Sequence, residues 1–456
     1  MDEKGSATRK NQPATDSYTL ACADRATRGA VNSSQSGIAV NLAQRPDMLG
    51  LAGATNSRDW DMTNIAAAIR EGTWLTADRV QRLAVVAMLG TVGFLLFLVL
   101  TAKGMSDYTG RPLGTDFSSF YAAGRLARLG ADPYDPAALH GMQQAIFGSG
   151  TPYFAFAYPP IFLLLAAPLS GLPYLASLAV WQLSSFALYL WAMTLLRRRF
   201  APGLPARLLY SCATGFTAVF VNVTHGQNGF LTAGLFAAGL AFLDVRPLLA
   251  GLCFGLAAFK PQFGLLVPLA LAAGSHWRSF LAAAATLAVL VAVSAGLFGT
   301  QIWSEFMSGA GQARQVILES NGVGYDKLVS VFAWFRLWHA PLAAAYAAQA
   351  IASLSVAALT IHLWRKGDMR LQSAVLCIGA LLATPFALDY DLMLLAPALL
   401  LLAGRVEGAP NPFNPTLLFL LALMPLFARS AAHLFLLPLA SWTLIWAFLA
   451  TAKRAS

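Results

Sequence analysis

A series of long apolar runs constrains this fold more than any other feature of the sequence. The first run, residues 83–102, is long enough to cross a bilayer as an α-helix, which takes about 20 residues. Residues 280–297 and 341–364 approach or exceed that length, whereas residues 247–259 and 261–273 fall short of it. The runs predict an all-α polytopic membrane protein, a bundle of about 10–13 transmembrane or half-membrane helices.

The composition supports the same class of protein. Of the 456 residues, 57% are hydrophobic and only 11% are charged, against about 25% charged residues in an average soluble domain. This balance excludes a soluble globular enzyme, a disordered chain and a collagen-like fibre. The four cysteines form no CxxC or Cys/His cluster, so they predict neither a disulfide framework nor a metal site.

Residues 1–78 differ from the rest of the chain because they are polar and contain no sustained apolar run. Their composition predicts a disordered cytoplasmic tail and no secretory signal peptide, and an internal start at Met48 or Met62 is an alternative. Residues 79–456 form the predicted membrane domain, in which residues 103–158 make a long first outer loop that carries surface helices.

The distribution of basic residues predicts the orientation of the chain. The formal net charge is +10, from 31 Lys and Arg against 21 Asp and Glu, and many basic residues flank alternate ends of the apolar runs. The positive-inside rule places those ends and both termini in the cytoplasm, next to membrane lipids, and no nucleic-acid partner is expected. The 103–158 loop and the segments 225–228, 301–338 and 389–391 then share the outer face of a multi-pass protein of the cytoplasmic membrane.

The first outer loop carries the main candidate carboxylate, Asp116. It precedes a helical pattern that stops at Gly130, with Tyr121 on the apolar side and Arg125 on the polar side, as in a helix that lies on a membrane surface. Asp116 could cap this helix through its side chain, or it could act as a general base that takes a proton from an acceptor hydroxyl. The spacing alone leaves both interpretations open.

Lys260 lies between two short apolar runs and is followed by Pro261, which interrupts a helix because it lacks a backbone N–H. Two short helices are therefore expected to meet at this point. A lysine at membrane depth costs about 2.5–3.5 kcal/mol or more and suggests a function, such as binding a phosphate together with Arg125. The alternative is an interfacial lysine whose side chain extends towards the headgroups.

Four further polar residues near the predicted outer ends of helices are weaker candidates. His225 and Gln227 could contact a substrate, although a lone histidine at a helix end is more often a polar cap. Asp389 and Asp391 flank Tyr390 and could lie near an acceptor or hold a metal. Capping of a helix start by these two carboxylates is the simpler interpretation.

The order of several short motifs is more specific than any one of them. The motifs span roughly residues 85–450 and comprise Asp116 to Tyr121, Gly130, Pro133-Tyr134-Asp135, Tyr158-Pro159-Pro160, Gly226-Gln227-Asn228, Arg246-Pro247, Gly251, Lys260-Pro261, Trp277-Arg278, Thr384-Pro385 and Asp389-Tyr390-Asp391. In this order they resemble glycosyltransferase family 87, a family of GT-C-type transferases that depend on polyprenyl-phosphate mannose.

The resemblance implies a GT-C-like bundle and an integral-membrane transferase that moves a hexose, with mannose the expected sugar. The donor would be a polyprenyl-phosphate sugar, the acceptor a lipid or glycan outside the membrane, and the transfer inverting. Asp116 matches the family's catalytic aspartate and would be the general base. The lipid-linked sugar is a substrate, so neither a cofactor nor a divalent metal is expected.

The remaining residue assignments go with this hypothesis. Lys260 and Arg125 are expected to bind the donor phosphate, and the candidates for substrate contacts are Tyr121, His225, Gln227, Asp389 and Asp391. Some relatives carry a histidine near the position of Tyr390 or Asp391, which this chain lacks, so no role of that histidine is carried over.

A secondary transporter or lipid flippase is the alternative function. Short, broken helices with a lysine at the break also suit a transport site. Two similar halves are not apparent in the sequence, however, and the long outer loop suits an enzyme that meets lipid substrates.

Overall fold

The protein is described from a computed structural model. It covers residues 72–366, 368–403 and 415–430, together with residues 68 and 432. Nearly all of the predicted tail, residues 1–78, lies outside the described residues, as do the predicted apolar run 431–450, apart from residue 432, and the basic pair at 453–454. The disordered tail, the boundary at residue 78 and the cytoplasmic placement of both termini therefore stay predictions.

The described residues form α-helices, shorter helical turns and loops, with isolated β-bridges in place of strands. We number the α-helices in chain order: α1 Ala77–Leu100, α2 Phe117–Arg128, α3 Pro136–Phe147, α4 Leu163–Leu169, α5 Tyr174–Phe200, α6 Ala206–Thr214, α7 Thr217–His225, α8 Gly229–Phe242, α9 Pro247–Leu256, α10 Pro261–Gly264, α11 Leu266–Ala273, α12 Trp277–Phe298, α13 Gln301–Arg314, α14 Val331–Leu337, α15 Leu342–Lys366, α16 Met369–Leu382, α17 Leu395–Ala403 and α18 Pro415–Phe427.

Four of the described helices, α1, α5, α12 and α15, are long and apolar enough to cross a membrane. The pair α6 and α7 meets the same criterion as one span bent by 50°. Six further apolar segments are shorter: Pro160–Leu169, Gly229–Phe242, Pro247–Phe259, Pro261–Ala273, Met369–Leu382 and Leu418–Phe427. The prediction of an all-α polytopic membrane protein is confirmed, while the GT-C-like bundle of 10–13 full or half spans stays a prediction.

Among the described helices, the short α8, α16 and α17 are mostly buried. Most residues of α8 are buried, whereas α1 and α12 expose most of their apolar side chains. Glycines allow the close helix contacts: a Cβ at Gly251 of α9 would lie 2.5 Å from the Ser279 carbonyl oxygen of α12. Small residues at helix crossings are typical of membrane bundles, where packing replaces the hydrophobic effect as the driving force.

The helix predicted to follow Asp116 is α2, but its environment differs from the prediction. Its apolar side packs on α4, and a Cβ at Gly124 would lie 2.2 Å from the Ala166 carbonyl oxygen. Arg125 is exposed on this helix, whereas Phe117 and Phe120 are buried in an aromatic cluster with Trp181. The apolar side of α2 therefore faces protein and not lipid, because neighbouring helices supply an apolar surface that the sequence of the loop does not reveal.

Two breaks in the helices matter for the site. The predicted break at Lys260 is confirmed: the chain leaves α9 through a short 3₁₀ turn at Ala257–Phe259 and resumes as α10 at Pro261. The bend between α6 and α7 was not predicted, because residues 208–223 form one apolar run. It falls at Gly215, where a Cβ would lie 2.0 Å from the Ala84 carbonyl oxygen of α1.

Candidate active site

Asp116 is held by the chain that follows α7. Its backbone N–H donates to the His225 carbonyl oxygen at 2.9 Å, and the Gln227 Nε2 donates to its Oδ2 at 2.8 Å. Asp116 occupies the N-cap position of α2, but its side chain makes no capping hydrogen bond. The interpretation of Asp116 as a side-chain cap is therefore wrong, because its backbone is helical (φ −81°, ψ −25°), whereas a residue that caps through its side chain usually has an extended backbone.

The amide of Gln227 has a defined orientation. Its Oε1 accepts the Asn228 backbone N–H at 3.2 Å, and the Tyr158 hydroxyl lies 3.5 Å from the same oxygen. Its Nε2 is therefore the atom that faces Asp116. The loop can make this turn because Gly226 has a φ of 68°, and a Cβ at that position would also lie 2.6 Å from Phe117 Cβ.

Lys260 lies in the break between α9 and α10, and its ammonium donates a hydrogen bond to Asp391 Oδ1. Both side chains are almost fully buried, with 2% and 1% exposed. The ring centroids of Tyr390 and Phe263 lie 4.7 and 5.5 Å from the Lys260 Nζ. The alternative of an interfacial lysine that extends to the headgroups is wrong, because Asp391 offers a buried counter-charge from a distant part of the chain.

Asp389 and Asp391 lie in one 3₁₀ helix, Asp389–Leu394, and bind different cations. The Asp391 Oδ2 accepts the Leu388 backbone N–H at 3.0 Å, which confirms a capping role, while its Oδ1 faces Lys260. Asp389 is buried, and its Oδ2 accepts a hydrogen bond from Nε of Arg429. The two carboxylates therefore hold two cations, Lys260 and Arg429.

Sequence reasoning missed Arg429 and Asn222. Arg429 follows α18, at an end that the predicted orientation places outside the membrane. An arginine at such an end runs against the positive-inside rule, and this is the signal that could have found it. The buried Asn222 of α7 donates through Nδ2 to the Tyr390 carbonyl oxygen at 2.9 Å and accepts the Gly229 N–H at 2.8 Å. Asn222 thus connects α7, α8 and the 3₁₀ helix. The only sign of this in the sequence is that a polar asparagine lies within an apolar run.

The polar cluster of the site consists of Asp116, Gln227, Lys260, Asp389, Asp391 and Arg429. The side chains of three other predicted residues are not part of it. The Tyr121 hydroxyl donates to the Leu172 carbonyl oxygen at 2.7 Å. The imidazole Nδ1 of His225 lies 3.0 Å from the Val221 carbonyl oxygen of its own helix, as expected for a polar helix end. The guanidinium of Arg125 is exposed and makes no hydrogen bond or ion pair with another residue of the described segments.

The cluster combines two groups with exposed surface, Asp116 and Arg429, with groups that are buried. Gln227, Lys260, Asp389 and Asp391 are buried, whereas Asp116 is half-buried. Tyr158 connects Lys260 to Asp116: its ring centroid lies 5.9 Å from the Lys260 Nζ, and its hydroxyl lies 3.5 Å from the Oε1 of Gln227, whose Nε2 binds Asp116. In the described segments no three His, Cys, Asp or Glu side chains come together as metal ligands. The arrangement can accept a proton at Asp116, next to two ion pairs that fix the surrounding segments.

Comparison with known proteins gives one family. The family model described as glycosyltransferase family 87 matches residues 156–388, about half of the chain. The match includes Gln227 and Lys260, begins after Asp116 and ends one residue before Asp389. No curated protein and no solved structure gives a significant match.

Proposed function

The chain belongs to glycosyltransferase family 87, and from that premise we propose that it transfers a hexose from a polyprenyl-phosphate donor to an extracytoplasmic lipid or glycan acceptor. Family membership and the apolar helices make it a membrane glycosyltransferase. The sugar we propose is mannose, the transfer is inverting, and Asp116 is the general base.

One observation carries this proposal: the half-buried Asp116 carboxylate has one oxygen in use and one free. Its Oδ2 accepts from Gln227 at 2.8 Å, whereas its Oδ1 has no hydrogen-bond partner among the described residues. A general base needs an accessible oxygen within reach of the proton that it removes, and it needs a fixed orientation. Gln227 supplies the orientation and leaves Oδ1 available for an acceptor hydroxyl.

The reaction then follows a single displacement. The acceptor hydroxyl gives its proton to Asp116 Oδ1 while its oxygen bonds to the anomeric carbon of the donor sugar. The bond between that carbon and the phosphate oxygen breaks, and the polyprenyl phosphate leaves with the electron pair. Lys260 is paired with the buried Asp391, so its charge is balanced, and in this scheme it holds the segment beside the reacting centre in place.

The other sequence-derived assignments take their place around this step. Arg125 stays a candidate for the donor phosphate, although it is exposed on α2. Asp389 and Asp391 orient cations and do not contact the sugar in this scheme. We propose a GT-C-like bundle in the cytoplasmic membrane, with both termini in the cytoplasm, the site facing outward and the polyprenyl chain lying between helices. In this scheme side chains act as the base and bind the phosphate leaving group, so we assign no resident cofactor and no divalent metal.

Family membership favours this function over the transporter or flippase alternative, and an assay separates the two. The full chain in nanodiscs is given a radiolabelled polyprenyl-phosphohexose and a membrane-lipid extract as acceptor. We expect label in a new product, and we expect Asp116→Asn to lower the transfer rate by about 100-fold or more, because it removes the base and keeps the shape.

Asp107→Asn is the matched control, because Asp107 lies in the same outer loop and accepts hydrogen bonds from Thr109 within a surface turn. We expect it to leave the rate unchanged. Transfer by Asp116→Asn at the rate of the unmodified protein would remove Asp116 from the base role. Movement of the labelled lipid across proteoliposomes without a new product would favour the transport alternative.

A further inference from the structure

The two cations of the cluster differ in what they can still bind. Lys260 is 2% exposed, and its ammonium is enclosed by Asp391 and by aromatic rings. Arg429 has 41% of its side chain exposed, although its partner Asp389 is as buried as Lys260. A ligand that arrives from outside the bundle can therefore reach Arg429 without breaking an ion pair.

Arg429 also keeps most of its donors. Only Nε binds Asp389, and the two terminal nitrogens have no hydrogen bond to another residue of the described segments. A guanidinium carries its N–H groups in a rigid fork that fits two oxygens of one phosphate, whereas an ammonium acts as a point charge. The exposed end of Arg429 is therefore the part that suits a phosphate.

Asp389 fixes this guanidinium in place. Its Oδ2 accepts from Arg429, and its Oδ1 accepts the Tyr390 backbone N–H at 2.9 Å, so the carboxylate is held at both oxygens. It belongs to the same 3₁₀ helix as Asp391, which binds Lys260. Arg429 is thus attached to the element that also carries the buried ion pair.

The helix that leads to Arg429 is itself tied to the site. The Thr217 hydroxyl of α7 donates to the Ala422 carbonyl oxygen of α18 at 2.8 Å. Since α7 ends at His225, whose carbonyl oxygen holds Asp116, the same helix supports the proposed base and the helix before Arg429. The half-buried Asp116 and the exposed Arg429 are therefore carried by helices that are hydrogen-bonded to each other.

We propose that Arg429, oriented by Asp389, binds the phosphate of the lipid-linked sugar donor, and that the buried Lys260 is a positioning residue for the 3₁₀ helix. This rests on the proposed function. Two ligands could offer a phosphate ester on a lipid to Arg429, and we assign the site to the phosphate of the donor. A phospholipid headgroup is the competing source.

The pair with Asp389 has no net charge, so affinity must come from two oriented, charge-assisted N–H donors and not from excess positive charge. Binding of this kind depends less on ionic strength than attraction to an exposed basic patch does, because screening acts mainly on long-range fields. We therefore expect phosphate recognition to persist at high salt.

Binding can be measured apart from turnover. The purified full chain in nanodiscs is titrated with a polyprenyl phosphate, with the corresponding polyprenol and with phosphatidylglycerol, and bound lipid is counted by native mass spectrometry. We expect the unmodified protein to prefer the phosphate over the alcohol by about tenfold or more. Arg429→Ala should abolish this preference, and Arg429→Lys should restore only part of it because the fork is missing.

Two controls keep the result interpretable. Arg314→Ala removes an arginine of the outer segment that is 61% exposed and paired with Glu319, and we expect it to keep the preference. Arg429→Ala leaves the buried Asp389 without its partner and could prevent folding. In that case the double variant Arg429→Ala with Asp389→Asn, which removes both charges, is measured instead. We expect the folded double variant to lack the preference as well.

Three outcomes would overturn the proposal. The first is an Arg429→Ala or double-variant protein that still distinguishes phosphate from alcohol. The second is loss of the preference in Arg125→Ala with retention in Arg429→Ala, which would place the phosphate at Arg125. The third is equal binding of phosphatidylglycerol and polyprenyl phosphate by the unmodified protein, which would make the site a headgroup site. An absence of sugar transfer would instead count against the proposed function and leave the binding result standing.

Discussion

Lys260 and Asp391 form a buried ion pair across 131 residues of sequence, between the break in the α9–α10 segment and the 3₁₀ helix before α17. A single buried charge in an apolar bundle is expensive, and a pair is tolerated only when its remaining hydrogen-bonding groups are satisfied. Here Asp391 also accepts the Leu388 N–H, and Lys260 lies beside the Tyr390 ring. The pair therefore ties two breaks in helical structure together at the centre of the site.

This pair makes a first prediction about stability. Lys260→Met should lower the free energy of unfolding by about 3–5 kcal/mol, because it leaves Asp391 charged, buried and without its partner. The measurement is thermal unfolding of the purified protein in detergent. The double variant Lys260→Met with Asp391→Asn should recover much of the loss, since the lone charge is gone.

The control for this prediction is the pair of Arg199 with Asp244, whose carboxylate is 46% exposed. Asp244→Asn should cost less than about 1 kcal/mol, because solvent screens an exposed pair. Equal losses at the buried and the exposed pair, or no recovery in the double variant, would contradict a role for the Lys260–Asp391 pair in holding the two breaks together.

A second prediction concerns Gln227. Gln227→Ala should lower kcat by about 10- to 100-fold while the KM for the donor changes little, because Gln227 orients Asp116 and does not contact the donor in our scheme. The measurement is steady-state transfer with variable donor. A loss of affinity with unchanged kcat would instead assign Gln227 to substrate binding, as the sequence first suggested.

Gln144→Ala serves as the matched control for Gln227. The Gln144 side chain donates to the Ser149 carbonyl oxygen in an exposed part of the 103–158 loop. Its removal should leave both kinetic parameters unchanged, so a general effect of losing a loop amide can be recognised.

A third prediction tests the packing of α2 on α4. Gly124→Ala should destabilise the protein by about 1–3 kcal/mol, because the new Cβ would lie 2.2 Å from the Ala166 carbonyl oxygen and the helices would have to separate. Transfer activity should fall too, since α2 begins next to Asp116. Thermal unfolding and the transfer assay measure the two effects.

Gly141 of α3 offers the opposite case. A Cβ there would meet no atom within 4 Å, so Gly141→Ala should stabilise the protein by about 0.5–1 kcal/mol through helix propensity. If Gly124→Ala and Gly141→Ala change the stability by a similar amount, the contact between α2 and α4 does not depend on the absence of a side chain at Gly124.

Local features of the sequence predicted a good part of this molecule. The all-α membrane class follows from runs of apolar residues, and the break at Lys260 follows from the missing N–H of Pro261. Both depend only on neighbours in the chain, because helix formation and helix interruption are decided over a few residues. The helix after Asp116 and its end near Gly130 were predictable for the same reason.

The partners of the polar residues could not be read from residue order. Gln227 meets Asp116 across 111 residues, and Asp389 meets Arg429 across 40, so each contact exists only because separate helices pack side by side. The same packing brought the Gln227 amide to the Asp116 carboxylate, which does not cap its own helix, and enclosed Lys260 with Asp391. The sequence of neighbouring residues therefore determined the membrane class and the helix break. The pairing and burial of the charges were decided by helix packing, because a buried charge is tolerated only where another element supplies its counter-charge.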